Sequence, residues 1–161
     1  MNRILTVALA ATAFVATPAL AQEATPASFS GPRVGAHIGG AGTSMFNFGG
    51  FAYGAEVGYD FQTGGAVLGI TAEIQDVADA DRDLSLTGRV GGVVGNKVLL
   101  YGLAGYTNVK AYGLSVDGFR LGLGAEMAVG SKGFVKVEQR YSNYQYDLDL
   151  HQSLIGAGIR F

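Results

Sequence analysis

The residues from Phe51 to Phe61 alternate strictly between two kinds of side chain. Large apolar and aromatic residues fill every second position, apart from Ala55, and glycine, alanine, Glu56 and Asp60 fill the positions between them. A period of two is typical of a β-strand whose two faces meet different surroundings. The stretch from Phe119 to Val129 repeats this pattern, with charged residues again among the small ones. Few folds accommodate a strand with a bulky apolar face and a small, charged face.

The same alternation continues along the chain, and we predict eight strands. Their bounds are 33–40, 51–61, 66–75, 84–94, 97–110, 116–129, 134–142 and 150–161. Glycine-rich turns of a few residues separate three pairs of strands, at 62–65, 95–96 and 130–133, and glycine supplies the positive φ that tight hairpins need. Longer polar segments at 41–50, 76–83, 111–115 and 143–149 alternate with these turns. Short turns at one end and long loops at the other are the pattern of a membrane-spanning β-barrel.

The first residues predict export from the cytoplasm. Arg3 precedes an apolar run, and the segment ends in Ala-Leu-Ala at Ala21. This is the pattern of a secretory signal peptide, and we expect cleavage after Ala21. An N-terminal membrane anchor is the alternative, but the apolar run is shorter than the roughly 20 residues that a spanning helix needs. We therefore divide the chain into a signal peptide at 1–21, a short flexible periplasmic lead-in at 22–32 and a single barrel domain at 33–161.

The size of the side chains decides which face of the strands points inward. The interior of an eight-stranded barrel is only wide enough for side chains to fill it. Four to six large residues from each of several strands would not fit there, whereas glycine and alanine mixed with single charges would. The bulky face must then point outward, and a continuous apolar belt of this size requires lipid rather than water. We predict an all-β fold, an eight-stranded antiparallel up-and-down transmembrane β-barrel, in preference to a soluble barrel with an apolar interior.

This orientation places a set of charged side chains inside the barrel. Opposite signs are nearly balanced among them, and we interpret them as buried ion pairs that fill the lumen, because an unpaired buried charge is costly. An ion-conducting lumen gated by the switching of such pairs is the alternative. The predicted lumenal charge network consists of Glu56, Asp60, Glu73, Arg89, Arg120, Glu126, Lys136, Glu138, Arg140 and Arg160.

Aromatic residues near the strand ends predict two girdles at the membrane interfaces. We assign Phe51, Tyr53, Phe61, Phe119, Phe134 and Tyr141 to these girdles. The last strand ends on an aromatic residue without a polar tail, and its apolar face consists of Ile155, Ala157, Ile159 and Phe161.

No motif of the sequence predicts catalysis, a metal or a cofactor. His151 and Ser153 resemble the His-x-Ser pair of the lipid A deacylases, but the downstream glutamate of that family is missing. Asp79, Asp81 and Asp83 resemble the start of a calcium loop, but the required later Gly and Glu positions hold Leu84 and Val90. The glycine-rich run at 91–97 lacks the Gly-Lys-Ser/Thr ending of a phosphate loop. With 11 basic and 13 acidic residues, nothing favours nucleic acid as a partner.

Three segments resemble the small eight-stranded outer-membrane proteins of Gram-negative bacteria, the OmpA-like, OmpX-like and opacity-protein superfamily, often called porin-family proteins. They are 100–106, 137–141 and 154–161. The resemblance implies a monomer in the outer membrane, with lipid and the barrel assembly machinery as partners and with 154–161 as the assembly signal. Termini in the periplasm and long loops outside the cell follow from the even number of strands. We expect a structural role with loops free to bind. A narrow ion or solute channel is the alternative, and a lipid-modifying enzyme comes third.

Overall fold

The computed structural model of the chain describes residues 27–42, 49–77, 82–111, 114–145 and 148–161. The predicted signal peptide and its cleavage position at Ala21 lie outside these residues, and so do Asp79 and Asp81. Within them there is no helix of the length and apolarity required to cross a membrane.

Eight strands make up nearly all of the described chain. They are β1 (Gly31–Gly42), β2 (Gly50–Thr63), β3 (Ala66–Val77), β4 (Arg82–Val94), β5 (Val98–Ala111), β6 (Leu114–Val129), β7 (Gly133–Tyr144) and β8 (Leu148–Arg160). Every predicted strand is confirmed, and the bounds differ from the predicted ones by at most two residues. Alternation of residue size was therefore a sufficient signal for these elements.

The strands form a closed barrel in which each pairs with its neighbours in the sequence, and β1 pairs with β8. All pairings are antiparallel, and the closing one runs from Arg33 opposite Arg160 to Gly42 opposite His151. Gly64, Gly95 and Gly130 adopt positive φ in the tight turns. We call the end of the barrel that carries these turns the short-turn end, and the opposite end the long-loop end. The predicted fold class is confirmed.

The two faces of the wall are oriented as predicted. Tyr59 and Leu123 point outward with 42% and 71% of their surface exposed. Glu56 and Arg120 point into the lumen and are 3% and 1% exposed. The same alternation holds along the described positions of every strand. Most outward side chains are apolar, whereas charged and polar side chains occupy most of the lumen, with small apolar clusters at its two ends.

The prediction that Phe134 belongs to an outer girdle is wrong. Phe134 is 3% exposed and lies inside the barrel, on the same face of β7 as Lys136. Positions that differ by two share a face of a strand, so a strand with Lys136 inside must also have Phe134 inside. Its ring reaches so close to the β1–β8 wall that a Cβ atom on Gly158 would overlap it.

The end of the predicted lead-in is an ordered part of the barrel rather than a flexible one. Phe29 is 1% exposed and packs inside the short-turn end against Val67, Leu99 and Tyr101. The amide of Phe29 donates a hydrogen bond to Gln62 Oε1 at 2.6 Å, and the amide of Ala27 donates to the carbonyl of Asn96 at 2.8 Å. The segment 27–30 therefore acts as a plug at this end.

Candidate functional site

Charged side chains of both signs fill the lumen. In the part of the chain that the structure describes, twelve of them are buried, six cationic and six anionic. The set contains all ten residues of the predicted network and adds Arg33 and Asp83. Buried charges are tolerated when each meets an opposite charge and further hydrogen bonds, and the contacts described next provide both.

The half of the network near the short-turn end is built around Asp60. Arg89 holds this carboxylate with two hydrogen bonds, from Nε at 2.8 Å and from Nη2 at 2.6 Å. Arg33 Nε and Arg160 Nη2 approach the same carboxylate at 3.2 and 3.3 Å. Glu126 receives Arg89 at 2.8 Å and Arg160 at 2.6 Å. Two carboxylates thus neutralise most of the charge of three guanidinium groups.

The network continues without a break toward the long-loop end. Arg33 also pairs with Glu56, and Lys136 bridges Glu56 at 2.5 Å and Glu138 at 3.0 Å. Arg140 Nε donates to Glu138 at 2.8 Å.

The last pairs of the network lie near the long-loop end. Arg140 grips Glu73 through two hydrogen bonds of 2.7 Å. Arg120 pairs with Glu73 at 3.1 Å and also pairs with Asp83. The order along the lumen is Arg160, Glu126, Arg89, Asp60, Arg33, Glu56, Lys136, Glu138, Arg140, Glu73, Arg120 and Asp83, and the sign of the charge alternates at every step.

Neutral polar side chains satisfy much of the remaining hydrogen-bonding capacity. Arg33 donates to Thr71 Oγ1 at 2.5 Å, and Arg120 donates to Ser85 and Ser142 at 3.0 Å each. The hydroxyl of Tyr101 donates to Glu138 at 2.5 Å. Glycine provides the space for these large groups, since a Cβ atom on Gly124 would lie 2.5 Å from the Tyr101 ring. The interior is therefore a packed polar core rather than an empty tube.

Sequence reasoning missed Arg33 and misplaced Asp83. We assigned Asp83 to a loop with Asp79 and Asp81, but it lies in β4 with its side chain in the lumen. It accepts hydrogen bonds from Gln75 at 2.7 Å and from Thr107 at 2.5 Å. The period of two was the available signal. Asp83 lies an even number of residues before Arg89, and Arg33 shares the small-residue face of the predicted strand 33–40 with Gly35 and Gly39. β4 begins earlier than predicted, at Arg82, whereas Arg33 already lay within the predicted strand.

His37, Glu56 and Glu73 form the group that most resembles a metal site. Their potential ligand atoms lie within 4.8 Å of one another, and all three residues are buried. Both carboxylates already bind cationic side chains, Glu56 with Lys136 and Glu73 with Arg140. A metal ion there would face these fixed positive charges, so we assign the group to the ion-pair network. His37 itself contacts Gln75, with Nε2 at 3.3 Å from Oε1.

His151 and Ser153 lie two residues apart on the outer face of β8. Ser153 Oγ donates to Gln139 Oε1 on β7, and the His151 ring packs on Tyr141 with 5.1 Å between ring centroids. Among the described residues, no hydrogen bond joins Ser153 to His151. A nucleophilic serine needs an adjacent base, and in this structure the Ser153 hydroxyl donates to Gln139 instead.

The remaining predicted residues lie on the outer face. Phe51, Tyr53 and Phe119 are exposed near the long-loop end, and Phe61 and Phe161 are exposed near the short-turn end. Tyr141 is half-buried, and its ring lies 6.2 Å from that of Phe119. Ile155, Ala157 and Ile159 follow one another along the outer face of β8. These aromatic rings therefore border an apolar band.

Comparison with known proteins identifies this architecture. A sequence model described as "Outer membrane protein beta-barrel domain" matches residues 7–161. A "22 kDa outer membrane protein" of Rhizobium leguminosarum bv. viciae is 35% identical over 156 residues, which covers 80% of this chain and 74% of the relative.

Two solved structures illustrate the range of proteins that share the fold. The attachment invasion locus protein Ail of Yersinia pestis, solved with the heparin analogue sucrose octasulfate, has a TM-score of 0.58 and 15% identity, over 82% of this chain and 97% of Ail. The outer membrane enzyme PagL has a TM-score of 0.53 and 17% identity, over 80% of this chain and 99% of PagL. At such identities the likeness shows the fold alone, and this fold carries more than one function.

Proposed function

Because the chain belongs to the family of outer membrane protein β-barrel domains, we propose that this outer-membrane barrel is a non-enzymatic structural protein without an open pore. Its role is to stabilise the membrane in which it is embedded, with the long loops available for binding. In this proposal the termini and the short turns face the periplasm, and the long loops face the outside. The longest connection, 43–49 between β1 and β2, lies at the end of the barrel opposite to both termini, and this supports that orientation. The connections predicted at 111–115 and 143–149 shorten to 112–113 and 145–147 between the strand bounds, so they add no support.

The filled lumen is the observation that carries the proposal. The ion pairs form one alternating series through the interior, and its two ends, Arg160 and Asp83, are themselves buried. Phe29 of the plug at 27–30 packs inside the short-turn end, where the Arg160 guanidinium lies 5.3 Å from the centre of its ring. An ion that entered would have to displace paired guanidinium and carboxylate groups. This arrangement favours a closed structural barrel over the narrow channel that the sequence left as an alternative.

Planar-bilayer recording tests this proposal. We expect the wild-type barrel to give currents no larger than those of a protein-free bilayer. The double variant Arg89→Ala with Glu126→Ala removes one buried ion pair and leaves the net charge of the lumen unchanged. It should give a measurable current, because it opens space behind the plug. Stable wild-type channels of the same size as those of the double variant would overturn the proposal in favour of a conducting lumen.

We also propose that 154–161 is the signal that the barrel assembly machinery reads. The outward residues Ile155, Ala157, Ile159 and Phe161 are accessible on β8. The backbone of Phe161 hydrogen-bonds to Pro32 at 2.9 Å, so this residue also takes part in closing the β1–β8 seam.

Deletion of Phe161 should reduce the amount of folded protein in the outer membrane several-fold and leave export unchanged. The expected result is accumulation of signal-cleaved protein outside the inner membrane, measured by cell fractionation and by the heat-dependent gel mobility of folded barrels. The matched control is Phe61→Ala, which removes an outward aromatic side chain at the same end of another strand. A deletion near Met1 would not serve as a control, because it would affect export. Equal assembly of the deletion variant and the wild type would contradict the signal role.

A further inference from the structure

The short-turn end of the barrel contains a cavity between the plug and the wall. It has a volume of about 550 Å³ and lies between the segment 27–30 and the ends of β6, β7 and β8. Pockets that bind small molecules usually have volumes of about 300–1,000 Å³. We call this space the short-turn cavity, and the side chains of its lining that bear on binding are Phe29, Lys97, Ala128, Lys132, Phe134 and Arg160.

Positive charge collects around the short-turn cavity. Lys97 and Lys132 lie in two of the tight turns and are exposed, and neither forms an ion pair within the described residues. The three tight turns contain no aspartate or glutamate. Among the described residues that line the cavity, the one carboxylate side chain is that of Glu126, and Arg89 and Arg160 already bind it at 2.8 and 2.6 Å. The cavity therefore has cations that the protein itself leaves unpaired.

The ion-pair series in the lumen adds to this positive charge. It begins with Arg160 at the cavity and ends with Asp83 near the long-loop end, so its cationic end faces the cavity. The rings of Phe29 and Phe134 lie at cation–π distance from the Arg160 guanidinium, with their centres at 5.3 and 5.9 Å. Because Arg160 is only 8% exposed, it attracts an anion through its charge, whereas the exposed lysines are within reach of direct contact.

Backbone hydrogen bonds fix the positions of the two lysines at the rim of the cavity. The amide of Ala128 on β6 donates to the carbonyl of Lys97 at 2.9 Å, and the amide of Arg160 on β8 donates to the carbonyl of Lys132 at 2.8 Å. Each lysine is thus tied to a strand of the cavity wall. Two cations that are held beside one space in advance lose less freedom when they bind a ligand, which favours binding.

We propose that the short-turn cavity binds a phosphate monoester that carries an apolar or aromatic group. Lys97 and Lys132 donate hydrogen bonds to the phosphate, and the apolar group lies against Phe29 and Ala128. A phosphate monoester fits better than a carboxylate, because its charge of up to about −2 can be balanced by several cations at once. Such a group is found on free organic phosphates and in the headgroup of phosphatidic acid. The site goes beyond the structural role and does not depend on it.

Isothermal titration calorimetry of the protein purified from outer membranes, in a non-ionic detergent, tests the site. The probes are 1-naphthyl phosphate and dihexanoylphosphatidic acid. We expect binding at one site per barrel, and the probe that binds more tightly identifies the source as a free organic phosphate or a lipid headgroup. Inorganic phosphate lacks the apolar group and 1-naphthol lacks the charge, so each should bind about tenfold more weakly or less. The double variant Lys97→Ala with Lys132→Ala should also lose about tenfold in affinity, because two charge-assisted hydrogen bonds are removed.

The double variant Arg82→Ala with Lys110→Ala is the matched control. These two exposed cations stand opposite each other on β4 and β5 at the long-loop end, so the control removes the same charge far from the cavity and should bind normally. Heat-dependent gel mobility verifies that each variant is folded. Failure of both probes to bind, equal binding of inorganic phosphate or 1-naphthol, unchanged binding by the lysine variant, or equal loss in the control would each overturn the inference. None of these results concerns the closed lumen, so such a failure would leave the proposed structural function intact.

Discussion

Replacement of Asp60 by Asn should lower the free energy of unfolding by about 3–5 kcal/mol, the usual cost of removing one partner from a buried ion pair. Asp60 is fully buried and contacts the guanidinium groups of Arg33, Arg89 and Arg160. Asn keeps the shape of the side chain and removes its charge. Only Glu56 and Glu126 would then remain to balance these three cations.

The position of Asp60 at the closing seam adds to the expected effect. Arg33 and Arg160 stand directly opposite each other on β1 and β8. Like charges in directly opposed positions destabilise a strand pair, and Asp60 lies between them at 3.2 and 3.3 Å. Without its carboxylate, repulsion acts on the one pairing that joins the ends of the sheet. We therefore expect fraying of the β1–β8 pair as well as lower stability.

Urea unfolding of the barrel in detergent micelles, followed by gel mobility, measures the change. Asp117→Asn is the matched control, since Asp117 also accepts hydrogen bonds but is exposed on the outer face, and its effect should be small. Adding Arg33→Gln to Asp60→Asn should recover part of the loss, because one of the facing cations is then removed. Similar stability of Asp60→Asn and the wild type would show that the network does not depend on this carboxylate.

Replacement of Leu123 by Arg should cost about 2–4 kcal/mol of membrane-inserted stability, the range for a cation on the lipid face near the midplane. Leu123 lies on the outer face of β6 and is 71% exposed in the structure. In a soluble barrel an exposed leucine would be replaced by arginine at almost no cost. In a bilayer the guanidinium has to leave water, so the same change becomes strongly unfavourable.

The yield of folded barrel in lipid vesicles measures this effect, and folding in detergent micelles provides a comparison. Ser131→Arg is the control, because Ser131 lies in an exposed turn at the short-turn end and should insert normally. A Leu123→Arg variant that folds into vesicles as efficiently as this control would show that the outer face does not meet hydrocarbon. That result would contradict the membrane orientation on which the proposed function depends.

The misplaced residues show where the sequence signal ended. Phe134 looked like a girdle residue because it is aromatic and lies at a strand end. It is two residues from Lys136, however, and therefore shares the inward face of β7. Asp83 looked like a loop residue because it follows other aspartates, yet it receives hydrogen bonds from Gln75 and Thr107. Phe29 lies before the first strand, where no periodicity exists to indicate that it plugs the barrel. Residue type gave the wrong position where the period-two alternation was not applied, as at Phe134 and Asp83, or did not exist, as at Phe29.

The sequence by itself determined the strands, their number and the face on which most side chains lie, because alternation of size and charge is a local property with a period of two. Only the tertiary structure decided which charge meets which. Arg140 and Glu73 are 67 positions apart, and Lys136 and Glu56 are 80 apart, yet both pairs are in contact across the lumen. Such contacts depend on the stagger of the strands around the closed barrel and on the space that glycines leave inside it, and neither can be read from one strand alone.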